Sequence, residues 1–179
     1  MKKIFITGGA GFIGHRLTSE LVGRGFEVTV YDSLSQQAHG SDPVRTSENF
    51  KKIKDICHFI HADILNFDQL NSAMTGHDTI FHLASLTGNC HSLYERKLYD
   101  DTNELGTRNM AQAVKRNKST QKIILASSRS VYGEGGYICK NHGTEFLKSR
   151  QNRQGFQPKC DHCDEILQPL PNTESDMLY

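Results

Sequence analysis

Glycine spacing near the amino terminus is the feature of this sequence with the clearest chemical meaning. The segment Thr7–Gly14 reads T-G-G-A-G-F-I-G, in which Gly11 and Gly14 complete G-x-G-x-x-G with Gly9 and G-x-x-G-x-x-G with Gly8. In either register the glycines permit a tight turn and let a phosphate approach the backbone. A helix that starts at such a turn offers unpaired N–H groups and a partial positive charge to that phosphate.

An acidic residue follows this turn at the distance that a dinucleotide requires. Asp32 comes directly after the apolar segment Glu27–Tyr31, about 20 residues beyond the glycines, where a carboxylate accepts hydrogen bonds from the adenosine ribose. Because its charge repels a 2′-phosphate, the pattern predicts NAD rather than NADP. The alternative interpretation is a glycine-rich turn in an α/β domain that binds no nucleotide.

Cysteine and histidine form a second pattern with chemical meaning. The pairs Cys139-x-x-His142 and Cys160-x-x-Cys163 are separated by a loop, which is typical of a structural zinc ribbon. Zinc would also order a polar segment that is too poor in apolar residues to fold alone. His162 is an alternative ligand, and a loop of free thiols with chance spacing is the alternative to a metal site.

The elements that must position these residues alternate between strands and helices up to residue 133. Apolar runs predict strands at 3–7, 27–31, 56–61, 79–83 and 122–126, and helical spacing predicts helices at 12–24, 67–75 and 99–116. Such alternation predicts an α/β fold, a Rossmann-type doubly wound parallel sheet, and near-continuous apolar strands fit a sheet covered on both faces. The segment after the second strand, with Gly40 and Pro43, reads as a polar loop.

Three regions are predicted from the change in character along the chain. Residues 1–133 form the NAD-binding Rossmann domain, residues 134–172 form a polar zinc-ribbon-like insertion, and residues 173–179 begin a further segment.

Composition restricts the classes of protein. The chain has 179 residues, of which 36% are hydrophobic and 23% charged, and its net charge is +1. These values fit a globular protein and give no electrostatic reason to expect nucleic acid or an anionic membrane as a partner. No apolar run is long enough to span a bilayer, and the first predicted strand leaves no room for a signal peptide, so we expect a cytoplasmic protein.

With these residues in view, the chain resembles the extended short-chain dehydrogenase/reductases, specifically the NAD-dependent epimerase/dehydratases. The resemblance covers about residues 1–133 and resumes briefly at the end. It implies a phosphate loop, an adenine contact after the third strand and a segment along the cofactor after the fourth. By position, the phosphate loop includes Gly8, Gly11, Phe12, Ile13 and Gly14. The adenine contact corresponds to Asp63 and Ile64, and the segment along the cofactor to Leu83 and Ala84.

Further segments fit the same family. Asn103 resembles its structural asparagine, and Ser127–Gly133 resembles its S-S-x-x-V-Y-G run, which implies that Ser128 is the active-site serine that hydrogen-bonds the sugar hydroxyl. The alternative for Ser128 is a cap on a loop. His82 is expected to be a packed residue rather than a base. The resemblance extends to 4-epimerases of dTDP-L-rhamnose or UDP-glucose, implies the sheet order 3-2-1-4-5, and implies a nucleotide-sugar substrate and a homodimer.

One part of the family's chemistry is missing from this sequence. The reaction requires Tyr-x-x-x-Lys, in which a tyrosinate takes the hydroxyl proton, and no tyrosine of this chain has a lysine four residues later. Residues 172–179 resemble the stretch just before that tyrosine, so the C-terminal part of the enzyme is expected to be missing. We therefore expect the 179-residue chain to bind NAD without epimerase activity. The alternatives are a non-catalytic NAD-binding module, a nucleotide-sugar dehydratase and a zinc-ribbon interaction protein.

Overall fold

The computed structural model describes residues 2–133, 135–146 and 157–176. The chain divides into two compact units, Met1–Ala126 and Ser127–Tyr179, called here the first and second units. Residues 147–156 of the predicted insertion and residues 177–179 of the predicted final segment lie outside the described residues. Within the described residues, no helix is both long enough and apolar enough to cross a membrane.

The first unit contains a parallel sheet of five strands. The strands are β1 (Lys3–Thr7), β2 (Glu27–Asp32), β3 (His58–His61), β4 (Thr79–His82) and β5 (Lys122–Leu125). Their order across the sheet is β3-β2-β1-β4-β5, which confirms the predicted order. The register pairs Thr7 at the end of β1 with Tyr31 in β2 and with His82 in β4. The carboxyl ends of the central strands therefore meet at one edge of the sheet.

Helices cover both faces of this sheet. They are α1 (Phe12–Gly23), α2 (Gln36–His39), α3 (Pro43–Thr46), α4 (Glu48–Ile53), α5 (Phe67–Ala73), α6 (Asn89–Tyr94), α7 (Arg96–Tyr99) and α8 (Gly106–Arg116). On one face, Phe5 and Ile80 pack with Leu70 of α5 and Met110 of α8. On the other, the alternate residues of β1 and β2 pack with helices α1 and α4. Two covered faces explain why the strands are apolar almost throughout.

The predicted helix at 99–116 is present and includes a π-helical turn. Helix α7 continues into the π turn Asp100–Leu105 and then into α8, with helical backbone angles at the two junction residues, Tyr99 and Gly106. The turn carries Asn103, whose side-chain amide bonds both backbone groups of Leu86. A single π turn inserted in an α-helix is frequently found at a functional site.

The segment after β2 differs from the predicted loop, because it forms the short helices α2, α3 and α4. Pro43 starts α3, and the Ser47 side chain caps α4 by accepting a hydrogen bond from the Phe50 N–H. These helices are too short for an apolar period to be visible in the sequence. The third strand begins at His58 rather than Ile56, since the N–H groups of Ile56 and Cys57 bond the Ile53 carbonyl at the end of α4.

The second unit contains a 3₁₀ turn at Arg129–Tyr132 and a small antiparallel sheet that the sequence did not predict. Its strands are β6 (Gly136–Cys139), β7 (Gly143–Phe146) and β8 (Gln168–Pro169). Their order is β7-β6-β8. The buried core of this unit consists of Tyr137, Cys139, Cys160 and Leu167. Two of these four are cysteines, so the described part of the unit buries little apolar surface.

Candidate functional site

The turn between β1 and α1 presents backbone N–H groups to solvent. The Gly8 N–H donates to the Tyr31 carbonyl at 2.9 Å and the Gly11 N–H to the Gly8 carbonyl at 3.2 Å. Helix α1 then begins at Phe12, and no side chain caps it. Because the first turn of a helix has no internal acceptors for its N–H groups, those of residues 12–14 are free for an anion.

Two glycines of this turn have no space for a side chain. Gly8 has a φ of +70°, and a Cβ there would lie 2.6 Å from the Ala84 nitrogen in the loop after β4. A Cβ on Gly14 would lie 2.6 Å from the Cα of Gly9. The glycines therefore let the turn lie against the neighbouring loop and let α1 pack on the turn, as the sequence pattern predicts.

A cavity of about 370 Å³ lies at the carboxyl ends of the strands of the first unit. Its wall includes seven of the predicted cofactor residues, namely Gly8, Gly11, Asp32, Asp63, Ile64, Leu83 and Ala84. The other three, Phe12, Ile13 and Gly14, do not line it and form the first turn of α1. Open α/β sheets bind ligands at this position, outside the carboxyl ends of the strands where the strand order reverses.

Asp32 is fixed below the glycine turn with its carboxylate 6% exposed. Its Oδ2 accepts the Ala10 N–H at 2.9 Å, and its Oδ1 accepts the Leu34 N–H at 2.9 Å. The Nε2 of His39 lies 3.5 Å from Oδ1. A carboxylate offers about four acceptor positions, so the two backbone N–H groups leave capacity for further hydrogen bonds.

The loop after β3 forms a second wall of the cavity. The Tyr31 hydroxyl donates to the Asp63 carbonyl at 3.0 Å, and the Asn109 amide donates to the Ile64 carbonyl at 3.0 Å. Burial, together with the negative charge of Asp63, raises the pKa of Tyr31 to about 12. Tyr31 therefore stays protonated and acts as a donor that fixes this loop.

His82 connects β1, β4 and α8 through its ring. Its Nδ1 lies 2.7 Å from the Thr7 hydroxyl and its Nε2 lies 3.0 Å from the Thr107 hydroxyl. Burial lowers the pKa of His82, so the ring is neutral in the physiological range. The His82 ring is buried and packed between two hydroxyl groups, and its expected lack of a role as a base stays a prediction.

Sequence reasoning did not identify the wall of the cavity that α2 forms or the contact that holds it. His39 and Gln37 of α2 line the cavity, and the Tyr99 hydroxyl accepts a hydrogen bond from the Gln37 amide. No pattern in the sequence distinguishes the two α2 residues. The position of Tyr99, one helical turn before Asn103, was the available signal, because residues four apart share a helix face.

Ser128 lies in the second unit, at the start of its 3₁₀ turn. Its hydroxyl oxygen accepts the Ser130 N–H at 3.1 Å, which is the geometry of a local cap. The bond occupies one lone pair and leaves the hydroxyl proton free to donate. The catalytic role that the family resemblance implies for Ser128 stays a prediction.

The four predicted metal ligands of the second unit come together. The ligand atoms of Cys139, His142, Cys160 and Cys163 all lie within 4.8 Å of one another. The Sγ atoms of Cys139 and Cys163 are 3.6 Å apart, and the His142 Nδ1 lies 3.3 Å from the Cys160 Sγ and 3.7 Å from the Cys139 Sγ. Zn–S and Zn–N bonds of tetrahedral zinc imply S···S edges of about 3.8 Å and S···N edges of about 3.6 Å. The arrangement therefore fits a tetrahedral ion.

Neighbouring groups orient these ligands. The His162 N–H donates to the Cys160 Sγ at 3.4 Å. The centroid of the His162 ring lies 5.3 Å from that of His142, with the two rings tilted by 55°, and His162 is not among the grouped ligands. The Glu165 N–H is the main cause that lowers the pKa of Cys163 to about 7. Burial first, and then the Glu145 carboxyl at 2.8 Å, raise the pKa of Cys160 to about 12.

Comparisons with known proteins agree with this geometry. The model of the NAD-dependent epimerase/dehydratase family matches residues 4–154. A UDP-N-acetyl-alpha-D-glucosaminuronate decarboxylase of Bacillus cytotoxicus is 35% identical over 75% of this chain and 39% of its own. A dTDP-L-rhamnose 4-epimerase of Burkholderia thailandensis is 34% identical over 85% of this chain and 41% of its own.

A solved structure shows the same fold. A variant of UDP-glucuronic acid 4-epimerase from Bacillus cereus, in complex with NAD and a fluorinated UDP-sugar, superposes with a TM-score of 0.66 at 28% identity. The match covers 78% of this chain and 44% of that one. The chain spans about two fifths of the length of these relatives.

Proposed function

The chain belongs to the NAD-dependent epimerase/dehydratase family, and from this we propose that its first unit binds NAD in the cavity at the strand ends. The observation that carries the proposal is the buried Asp32 carboxylate, which is held beneath the uncapped first turn of α1. The helix end attracts the pyrophosphate and the carboxylate accepts a ribose hydroxyl. The same negative charge disfavours the 2′-phosphate of NADP.

The reaction we propose for the full-length protein is 4-epimerisation of a nucleotide-sugar. Bound NAD would reversibly accept hydride from the sugar carbon whose configuration is inverted. Relatives named as 4-epimerases support this choice, and a solved structure named as a dTDP-glucose 4,6-dehydratase keeps dehydration as the alternative. Ser128, by its position in the S-S-x-x-V-Y-G run, would hydrogen-bond that hydroxyl.

The 179-residue chain is proposed to bind NAD without turning over a sugar. In it no tyrosine is followed four residues later by lysine, so it lacks the pair that would take and hold the hydroxyl proton. The test is calorimetric titration with NAD and NADP, together with a 4-epimerase assay on UDP-glucose and dTDP-L-rhamnose. We expect heat of binding with NAD and no product. Absence of any response to millimolar NAD would refute the binding proposal, and detectable epimerisation would refute the inactivity.

The second unit is proposed to hold one structural zinc ion. The near-tetrahedral spacing of one imidazole and three thiols supports this, and four protein ligands leave no open position for catalysis. Elemental analysis of protein purified without chelator should give about one zinc per chain. A zinc-to-protein ratio close to zero would refute the metal site.

A further inference from the structure

The outer wall of the cofactor cavity is the four-residue helix α2, Gln36–His39, and each of its residues lines the cavity. A helix of one turn has few internal hydrogen bonds and does not hold its own position. Its attachments to the rest of the first unit therefore decide how the cavity opens. The structure shows two such attachments.

The first attachment is local and involves His39. Its side chain is 4% exposed, with Nε2 3.5 Å from the Asp32 carboxylate and Nδ1 3.3 Å from the Ser47 hydroxyl. Both partners belong to the chain segment that carries α2 or borders it. This attachment can therefore stay intact while α2 moves relative to the opposite side of the cavity.

The second attachment crosses to that opposite side. The Gln37 Nε2 donates to the Tyr99 hydroxyl at 2.5 Å, and the Tyr99 hydroxyl donates to the Thr87 carbonyl at 2.9 Å. Nε2 also lies 3.4 Å from that carbonyl. We call Gln37, Tyr99 and Thr87 the latch. It joins α2, the loop after β4 and the end of α7, three segments that are distant in the sequence.

The latch has a buried and an exposed half. Tyr99 is 7% exposed, so its hydroxyl is held in place by the packing of its ring. Gln37 is exposed and reaches the hydroxyl only through its flexible side chain. The weaker link is therefore between Gln37 and Tyr99, and separation of α2 from the loop after β4 would break it first.

The latch consists of hydrogen bonds between protein groups, and none of its three residues is among those proposed above to hold the cofactor. Its hydrogen bonds can therefore stabilise the free and the bound cavity equally. They are lost when α2 separates from the loop after β4, the two walls between which a dinucleotide would enter or leave. Their contribution is therefore to the barrier for exchange and not to the affinity.

We propose that Tyr99 is a positioning residue that, through the latch, sets the rate at which NAD enters and leaves the cavity. The proposal rests on the NAD binding proposed above. It predicts a kinetic effect that a direct contact between Tyr99 and the cofactor would not produce. Removal of the latch should accelerate association and dissociation by the same factor and leave the dissociation constant unchanged.

The test uses stopped-flow fluorescence of NADH with the full chain and with Tyr99→Phe. Association is followed on mixing, and dissociation is followed by displacement with excess NAD. We expect both rate constants to rise about two- to tenfold, because of the two bonds of the Tyr99 hydroxyl it is the one to Gln37 that joins α2 to the opposite side of the cavity. The dissociation constant from calorimetry should stay within about twofold of that of the unsubstituted chain.

Two further variants make the test decisive. Tyr94→Phe is the matched control, because it removes the same hydroxyl from a side chain that is 87% exposed, and its rates should not change. Gln37→Met keeps the shape of an exposed side chain without its donor and should reproduce the effect of Tyr99→Phe. If Tyr99→Phe does not fold, Gln37→Met decides the question.

Three results would overturn the latch. A rise in the dissociation rate alone would mean that the hydroxyl contacts the cofactor. Unchanged rates in Tyr99→Phe and Gln37→Met would mean that the latch does not limit exchange. Equal acceleration in Tyr94→Phe would mean that the effect is unspecific. Absence of NADH binding by the unsubstituted chain would refute the proposed function itself, which is a different outcome.

Discussion

The carboxylate of Asp32 has more protein partners than its expected role as a ribose acceptor requires. Two peptide N–H groups, from Ala10 and Leu34, and the His39 ring surround it. The two N–H groups hold the carboxylate in a buried position at the wall of the cavity. The residue should therefore matter for both the stability of the turn and the selection of the cofactor.

Asp32→Asn tests this double role. The amide would place an NH₂ group against a peptide N–H, so we expect a loss of about 1–3 kcal/mol in the free energy of unfolding. Loss of a charge-assisted hydrogen bond should raise the dissociation constant of NAD tenfold or more, that is by roughly 1.4 kcal/mol or more. Discrimination against NADP should also fall, since the repelling charge is gone.

Urea unfolding and calorimetric titration measure these two effects. Asp55→Asn is the matched control, because the Asp55 side chain is 79% exposed and its ion-pair partner is the neighbouring residue Lys54. Normal NAD affinity in a folded Asp32→Asn variant would contradict the proposed role of the carboxylate.

The buried residue His77 is expected to make the stability of the fold depend on pH. It is buried, with Nε2 3.0 Å from the Thr29 hydroxyl, and burial lowers its pKa below the usual value for histidine. A folded-state pKa below the unfolded one means that the unfolded chain binds more protons in mild acid. The free energy of unfolding should thus have its full value above about pH 6.5 and fall as the pH drops below that value.

The measurement is the free energy of unfolding in urea at pH 7.5 and pH 5.5. His77→Gln should show a smaller difference between the two pH values than the unsubstituted chain. His58→Gln, at an exposed position of β3, should keep the full difference. An unchanged difference in His77→Gln would show that other groups are responsible.

At the scale of elements, long patterns were predictable and short ones were not. The strands and the helices at 12–24 and 67–75 were identifiable because apolar residues recur over many positions, and Asn66 caps α5 by accepting the Gln69 N–H. Helices α2, α3 and α4 have only four to six residues each. Their positions depend on tertiary bonds such as those of Gln37 and His39, which no local pattern reveals.

Helix α1 offers a prediction with an internal control, because it contains one crowded and one open glycine. A Cβ on Gly14 would meet the turn at 2.6 Å, whereas a Cβ on Gly23 would meet nothing within 4 Å. Gly14→Ala should cost about 1–3 kcal/mol of the unfolding free energy through overpacking. Gly23→Ala should add roughly 0.5–1 kcal/mol, since alanine restricts the unfolded chain and favours the helix.

Thermal and urea unfolding of the two variants provide the check. Opposite signs are expected for two identical chemical changes in one helix. If Gly14→Ala were as stable as the unsubstituted chain, the close packing of α1 on the glycine turn would be wrong.

At the scale of the whole molecule, the two units derive their stability from different sources. The first unit has an apolar layer on each face of its sheet, while the core of the second, among its described residues, consists of four buried residues, two of them proposed metal ligands. The grouping of Cys139, His142, Cys160 and Cys163 was predictable from their spacing alone. The strands of the second unit were not, since β6, β7 and β8 have four residues or fewer and little alternation.

Metal removal should therefore affect the two units differently. Chelation, or Cys163→Ser, should release zinc and abolish the order of the second unit, because binding energy supplies its folding energy. NAD affinity should be unchanged, since every described residue that lines the cavity belongs to the first unit. Elemental analysis, amide hydrogen exchange and calorimetry measure the three quantities.

Cys57→Ser is the control for this prediction. Cys57 lies in the first unit, where its thiol donates to the Ile53 carbonyl and burial raises its pKa to about 11. This variant should keep its zinc. Full zinc content in Cys163→Ser, or loss of NAD affinity on chelation, would contradict the division between the units.

The π turn at Asp100–Leu105 makes the long helix equivalent to a regular one with a single extra residue. Removal of one residue from this turn would restore ordinary α-helical winding and leave Tyr99 and α8 in about their present relative orientation, because the wider π turn takes up the roughly 100° step of that residue. Asn103, which lies within the turn, would then move away from the Leu86 backbone groups that it bonds. The extra residue therefore lets Asn103 and Tyr99 of one helix both bond the loop after β4, and single-residue deletions there should be less tolerated than deletions near Asn117.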